Sequence, residues 1–283
     1  MPIDISTTPI ILGVSLKMYF GQQETIDWCK RVSQIAMIHP AVSNGLVKIF
    51  VLPSMPTLGV VSPVLQSAKV GLGAQDLFHK DRGAYTGEVG GLMLRELGCQ
   101  YVEIGHAERR KLFGETDHQV AEKLAAAVRN DLIPVLCVGE QNHVSPKAAA
   151  DLCINQLKAA VQFIEGKDVK GWVQYEPVWA IHTNGHCISE IVVAYEPVWA
   201  IGAEEPASTS HIVEVSRLIN EYLAQTKQFA GSRVIYGGSA GPGLLTELEG
   251  KVSGLFLGRF AHDTKNLVQV LDEVSALFAE SAA

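Results

Sequence analysis

Three side chains of complementary chemistry follow short apolar, β-branched runs in this chain. They are the amine of Lys17 after Ile10–Val14, the imidazole of His106 after Tyr101–Ile104, and the carboxylate of Glu196 after Ile191-Val-Val-Ala194. A carboxylate can take a proton from carbon, an imidazole can polarise a carbonyl, and an ammonium can stabilise the negative charge that develops. Two further apolar runs end in glycine-containing turns, Tyr236-Gly237-Gly238-Ser239 and Leu257-Gly258-Arg259. Glycines there let backbone N–H groups approach an anion such as a phosphate. Singly, each feature has a plain explanation: a surface lysine, a hydrogen-bonded core histidine, simple turns, and a charge cluster at Glu108-Arg109-Arg110. Their joint placement at the ends of β-type runs is harder to dismiss. No metal-ligand spacing is present, so no metal is expected, and Cys137 lacks a partner histidine motif for thiol catalysis.

The glutamate occurs twice. Tyr175-Glu-Pro-Val-Trp-Ala-Ile181 recurs as Tyr195-Glu-Pro-Val-Trp-Ala-Ile201, offset by 20 positions. In each copy proline fixes φ and removes a donor, so a strand should stop there with the glutamate at its C-terminal end. Only about eight residues, 182–189, separate copy one from the strand that approaches copy two, whereas a right-handed parallel crossover needs a dozen or more. The two copies are therefore not successive strands. One must lie in a connection, where an added period costs only about 1 kcal/mol of closure entropy. The surplus Trp and Val side chains must then find cover or form an exposed apolar patch.

These groups need a frame, and the chain supplies one by alternation. Predicted strands lie at Ile10–Val14, Val47–Leu52, Lys69–Gly73, Tyr101–Ile104, Ile133–Val138, the segment before one glutamate copy, Arg233–Tyr236 and Gly254–Leu257. Predicted helices lie at about Glu24–Met37, Thr57–Gln66, Gly90–Leu97, His118–Asn130, Pro146–Ile164, His211–Thr226, Gly243–Leu248 and Asn266–Phe278. The strands are short and continuously apolar, as in a parallel sheet buried on both faces. The expectation is an α/β fold: one (β/α)8 barrel over residues 1–283, a single domain. An extra 20-residue duplicated segment falls between its fifth helix and sixth strand. Barrels of this kind react at the C-terminal ends of their strands, where the polar groups fall.

Composition agrees with one large core. The 283 residues are 47% hydrophobic, and net charge is −7 with no basic cluster, so neither nucleic acid nor an anionic membrane is an expected partner. The five cysteines, Cys29, Cys99, Cys137, Cys153 and Cys187, are odd in number and unpaired in spacing. That suggests reduced thiols and a cytoplasmic location. No secretory leader pattern and no membrane-spanning stretch is evident.

The chain resembles the triosephosphate isomerase family over essentially its whole length. The resemblance is carried by Gly105-His-Ala-Glu-Arg-Arg110 with Phe113-Gly-Glu-Thr116, Gly83-Ala-Tyr-Thr-Gly-Glu88, Leu136-Cys-Val-Gly-Glu140, Ala194-Tyr-Glu-Pro-Val-Trp-Ala-Ile-Gly202 and Tyr236-Gly-Gly-Ser239. It implies an isomerase of glyceraldehyde 3-phosphate and dihydroxyacetone phosphate that works through an enediolate. Glutamate is then the base, His106 a neutral electrophile and Lys17 the electrostatic stabiliser. It further implies that Ser15, Gly202, Ser239, Gly237, Gly238, Gly258 and Arg259 contact substrate or its phosphate, and that Glu108 supports the site. Pro197-Val-Trp199 resembles the hinge of a closing loop. No cofactor is implied. The partners implied are a small phosphorylated sugar and a second copy of the chain, with the loop carrying Thr86 entering the neighbour of a homodimer.

Glu196 is preferred to Glu176 as the base. Copy two is followed by Gly202 and preceded by a cleanly buried run, whereas copy one is followed by His182 and preceded by Gly171-Trp-Val-Gln. Departures from the family are Ser15 and Leu16 for Asn and Trp, Ala107 for Ser, Glu204 and Glu205 at the loop tip, and Arg259 for Gly. Together they resemble a branch acting on four-carbon erythrulose phosphates, which stands as the alternative substrate class. An alternative of another kind is a non-catalytic barrel disabled by the duplication.

Overall fold

The computed structural model describes residues 8–163, 190–203, 206–226 and 231–281. Eight parallel strands close into a barrel in sequence order: β1 (Ile10–Ser15), β2 (Val47–Leu52), β3 (Gly71–Ala74), β4 (Tyr101–Ile104), β5 (Ile133–Val138), β6 (Val192–Tyr195), β7 (Arg233–Tyr236) and β8 (Gly254–Leu257). Helices run between them: α1 (Gln22–Ile38), α2 (Pro40–Ser43), α3 (Leu58–Ser67), α4 (Gly91–Glu96), α5 (Ala107–Phe113), α6 (Asp117–Arg129), α7 (Pro146–Val161), α8 (Thr209–Gln225), α9 (Leu244–Glu247) and α10 (Thr264–Ser281). The expected (β/α)8 architecture is what forms. Copy two supplies β6, while copy one, with Glu176, lies in 164–189 between α7 and β6, outside the described residues.

Strand alternation sorts the core into two shells. Ile11, Phe50, Leu52, Val135, Cys137, Val192, Ala194, Ile235 and Phe256 pack inside the barrel, with Tyr101 and Ile133 against them. Their sequence neighbours, such as Val102, Leu136, Val193 and Tyr236, face the helices. Period two then dictates what reaches the mouth. Continuing each inward row by two residues gives Ser15 after Gly13, Glu103 after Tyr101, Glu196 after Ala194, Gly237 after Ile235 and Gly258 after Phe256. Gly13 leaves room for aromatic rings from both sides: a Cβ there would meet Phe50 at 2.3 Å and Phe256 at 2.7 Å.

Element bounds differ from the sequence expectation where local turns intervene. The third strand starts at Gly71 and not at Lys69, because Lys69 takes φ 57° and the Val70 N–H turns back onto the Leu65 carbonyl. The stretch after β4 is helix α5, where sequence reading expects only a strand-end loop. Cys29, Cys99, Cys137 and Cys153 are buried free thiols, as expected; Cys187 lies outside the described residues. Among the described residues no helix is long and apolar enough to cross a membrane.

Candidate active site

Each candidate catalytic group is placed by the strand it follows. β6 keeps pairing for one residue past its end, Glu196 N–H to Val138 O at 2.8 Å. Pro197 then has no N–H to give and the chain turns into a 3-10 segment, Val198–Ala200. Glu196 is thereby left over the barrel mouth, 4% exposed. After β4, Gly105 adopts φ 73°, a left-handed turn that favours glycine, and delivers His106 to the N-cap of α5. There His106 Nδ1 accepts the Glu108 N–H at 3.1 Å. In the neutral ring the hydrogen therefore sits on Nε2, which lies 3.4 Å from Glu196 Oε2. After β1, Lys17 holds φ 46°, uncommon for a side-chain-bearing residue, and its carbonyl is pinned by Gln75 Nε2 at 2.9 Å and Ser54 Oγ at 3.0 Å. Its ammonium meets Glu108 at 2.6 Å.

The triplet Glu108-Arg109-Arg110 is thus not one surface charge cluster. Glu108 orients Lys17, Arg109 reaches Asp76 at 2.8 Å, and Arg110 spans the Gly105 carbonyl and Asp117.

Electrostatics match the roles. Burial, then the charge of Lys17, lowers the His106 pKa to about 4, so the imidazole is neutral at physiological pH. Burial raises Glu196 to about 8; Lys17 opposes this and Glu108 adds to it. Burial also works against the Lys17 charge, but the hydrogen bond and charge of Glu108, followed by Glu196 and Glu103, outweigh it and raise its pKa. A base near neutrality beside a neutral donor is the pairing that proton transfer at a carbon next to a carbonyl needs.

A cavity of about 600 Å³ opens above this group, lined by Ser15, Lys17, His106, Glu108 and Glu196 on one side. Gly202, Gly237, Gly238, Ser239, Gly258 and Arg259 line the other. Thr86 is exposed on the loop after β3 and does not line it. The glycine-lined end suits a phosphate, with three refinements. The Gly237 N–H is committed to the Tyr195 carbonyl at 2.9 Å, so Gly237 offers room and not a donor. The Ser239 N–H and hydroxyl are engaged by the loop after β6, at Ala200 O (3.2 Å) and Ala203 O (2.7 Å). Arg259 reaches toward Gly202, where a Cβ would lie 3.7 Å from its Nη2.

The room at Gly237 is itself a constraint on the base. A Cβ there would lie 2.6 Å from Glu196 Oε1 and 2.7 Å from its Cγ. Gly237→Ala is expected to displace the carboxylate and lower kcat by about a hundredfold with a small loss of Tm. An unchanged kcat would show that Glu196 does not act from this position.

The loop after β6 is moored at its start. Glu140 Oε1 accepts from Trp199 Nε1 at 2.8 Å and Tyr195 Oη at 3.2 Å, with His211 Nε2 at 3.3 Å. At the far end Ala207 N–H donates to Tyr236 Oη at 3.1 Å. The expected hinge Pro197-Val-Trp199 thus sits on a buried carboxylate, while the tip residues Glu204 and Glu205 lie outside the described residues.

Glu103 is a further acid in this cluster. Its sequence signal is slight, one acid within Tyr-Val-Glu-Ile. Glu103, His106 and Glu196 form the one grouping among the described residues that offers three potential metal-ligand atoms, all within 4.8 Å of one another. Burial, then the charge of Glu196, drives the Glu103 carboxyl well above its usual range and so to its neutral form.

Known proteins resemble this chain over nearly its whole length. The triosephosphate isomerase family model matches residues 9–190 and again 182–274. One copy of the heptapeptide falls in each stretch, consistent with an insertion. The chain is 47% identical to an L-erythrulose-1-phosphate isomerase of Pectobacterium atrosepticum, over 98% of this chain and 100% of that one. It is 34% identical to a triosephosphate isomerase of Moorella thermoacetica, over 93% and 98%. The crystal structure of triosephosphate isomerase from Bartonella henselae shares the fold, with a TM-score of 0.71 at 24% identity, covering 94% of this chain and 99% of that one. The chain belongs to the triosephosphate isomerase family and is a sugar-phosphate isomerase.

Proposed function

We propose that the protein isomerises a four-carbon ketose phosphate, L-erythrulose 1-phosphate, in preference to triose phosphates. The observation that carries this is the 47% identity, end to end, with an enzyme of that name, against 34% with a triosephosphate isomerase. Of the departures from the family, Ser15 and Arg259 line the cavity, and Leu16 and Ala107 are chain neighbours of the lining residues Lys17 and His106. The triose reaction, the first expectation from the motifs alone, becomes the secondary activity.

The chemistry follows from the site. With phosphate on C1 there is no free C1 hydroxyl, so the enediolate can form only between C2 and C3. Glu196 takes the proton from C3, and the Nε2–H of His106 polarises the C2 carbonyl. Lys17 stabilises the enediolate charge. His106 passes the C3 hydroxyl proton to the C2 oxygen, and return of the carbon-bound proton to C2 leaves the carbonyl at C3, so the product is again a ketose, with phosphate at the opposite end of the chain. The phosphate rests against Gly202, Gly238, Ser239 and Gly258, and Arg259 adds a charge-assisted contact. No cofactor enters. The same reading makes the protein a homodimer, with Thr86 entering the partner and the 93%-exposed Met18 covered there.

The test is kcat/KM for L-erythrulose 1-phosphate, dihydroxyacetone phosphate and glyceraldehyde 3-phosphate. The tetrulose phosphate is expected to be favoured by about tenfold or more. Preference for a triose would overturn the reading. Tight binding of an enediolate analogue without turnover of any of the three would mark a non-catalytic barrel.

A further inference from the structure

Glu103 has no place in the mechanism above, yet it occupies a demanding position. It lies in the inward row of β4 directly after Tyr101, whose ring stacks on Phe50 at a centroid distance of 4.4 Å. It is 3% exposed and does not line the substrate cavity. Its Oε1 accepts from the Cys137 thiol at 3.8 Å and lies 3.9 Å from His106 Nε2. Across the same ring stands Glu196, whose Oε2 is buried without a hydrogen-bond partner among the described residues. Glu103, His106 and Glu196 each present an atom within 4.8 Å of the others, so the two carboxyls face one another across one small buried space. Two buried carboxylates this close do not both ionise, and sharing one hydrogen resolves both the repulsion and the orphaned oxygen.

We propose that Glu103 is a positioning residue for the base: a barrel-interior carboxylic acid that donates its hydrogen to the unpartnered Oε2 of Glu196 and sets the orientation from which Glu196 reaches substrate. The groups facing Glu103 divide the labour. After burial, the charge of Glu196 acts on it most strongly, and Glu108 and Asp76 add to this; these three favour its neutral form, and Lys17 favours its charge. The neutral His106 Nε2–H lies 3.4 Å from Glu196 Oε2 but makes no hydrogen bond to it, and the Cys137 thiol donates to Glu103 Oε1. As pH rises through about 8, Glu196 takes the charge while Glu103 keeps its proton. Binding of substrate releases the carboxylate to the carbon acid, while Glu103 stays in the barrel.

This proposal rests on the isomerase reading, so the test includes a readout that needs no turnover. Carbon-13 carboxyl titration of the parent is expected to show two glutamates protonated above the ordinary carboxylate range, Glu196 and Glu103, the signal of the second absent from Glu103→Gln. In kinetics, Glu103→Gln retains a donor and is expected to keep the acidic limb of kcat/KM in place, with kcat within about threefold. Glu103→Met fills similar volume without a donor. It is expected to move that limb up by about half a pH unit or more and to lower kcat about tenfold at unchanged KM. A Glu103 that titrates in the ordinary range overturns the proposal, as do equal effects of Gln and Met, or parent-like kinetics of both. If Glu103→Met does not fold, the titration and the Gln variant still decide. A parent without turnover refutes the isomerase reading alone, and the titration then stands by itself.

Discussion

Glu196→Gln is expected to lower kcat by about three to four orders of magnitude, because the amide keeps the shape and loses the base. Glu176→Gln, the same change in the other heptapeptide, is expected to leave kcat within about twofold. Steady-state kinetics of the pair decide which copy works, and a large loss from Glu176→Gln would reverse the assignment. The parent's pH profile should carry the mark of the buried base. Glu196 titrates at about 8 and His106 at about 4. As pH falls through 8, Glu196 gains its proton and kcat/KM falls with it, while His106 remains neutral well below that limb. An acidic limb in the ordinary carboxylate range would contradict this geometry. Stability runs the other way. The folded-state pKa is raised, so the fold holds the proton that the unfolded chain releases above about 4.5, and the group costs stability as pH rises from there to 8. Glu196→Gln removes that cost and is expected to melt higher than the parent at pH 8, with the gap closing toward pH 4. Function here is obtained against stability.

Lys17→Met is expected to lower kcat/KM by about two to three orders of magnitude through loss of the charge that faces the enediolate. Its other effects follow from the charges that it touches. Lys17 lowers both Glu196 and His106, so its removal should move the acidic limb of kcat/KM to higher pH and raise the imidazole. Glu108, left without its 2.6 Å partner, adds to the first effect. Kinetics across pH together with imidazole titration by NMR check all three. A loss below about tenfold, or a limb that moves down, would remove Lys17 from the mechanism. The left-handed backbone at Lys17 stays pinned through its carbonyl, which side-chain replacement does not touch.

Both results bear on the repeat. Copy two provides a complete site: base at the strand end, the hinge tryptophan on Glu140, and Gly202 opposite Arg259. The residues proposed for the reaction therefore all gather around copy two.

Much of this was readable from the chain alone. Short apolar runs alternating with helical periods determine the order of eight strands, and five of the strands, Val47–Leu52, Tyr101–Ile104, Ile133–Val138, Arg233–Tyr236 and Gly254–Leu257, coincide residue for residue with expectation. Proline after Glu196 and glycine before His106 mark strand ends locally, so Lys17, His106 and Glu196 could be named without coordinates. The short separation of the two heptapeptides excluded both from being strands. Helix α5 was hidden because its first turn is also the reactive motif, and its cap is a histidine ring, not a Ser, Thr, Asp or Asn. The roles of Glu103 and Gly237 were hidden for a deeper reason. In a strand buried on both faces every residue is apolar, so alternation does not reveal which set points inward. Only closure of the sheet decides that, and closure turned one acid of Tyr-Val-Glu-Ile toward the base and left Gly237 as the space in which that base stands.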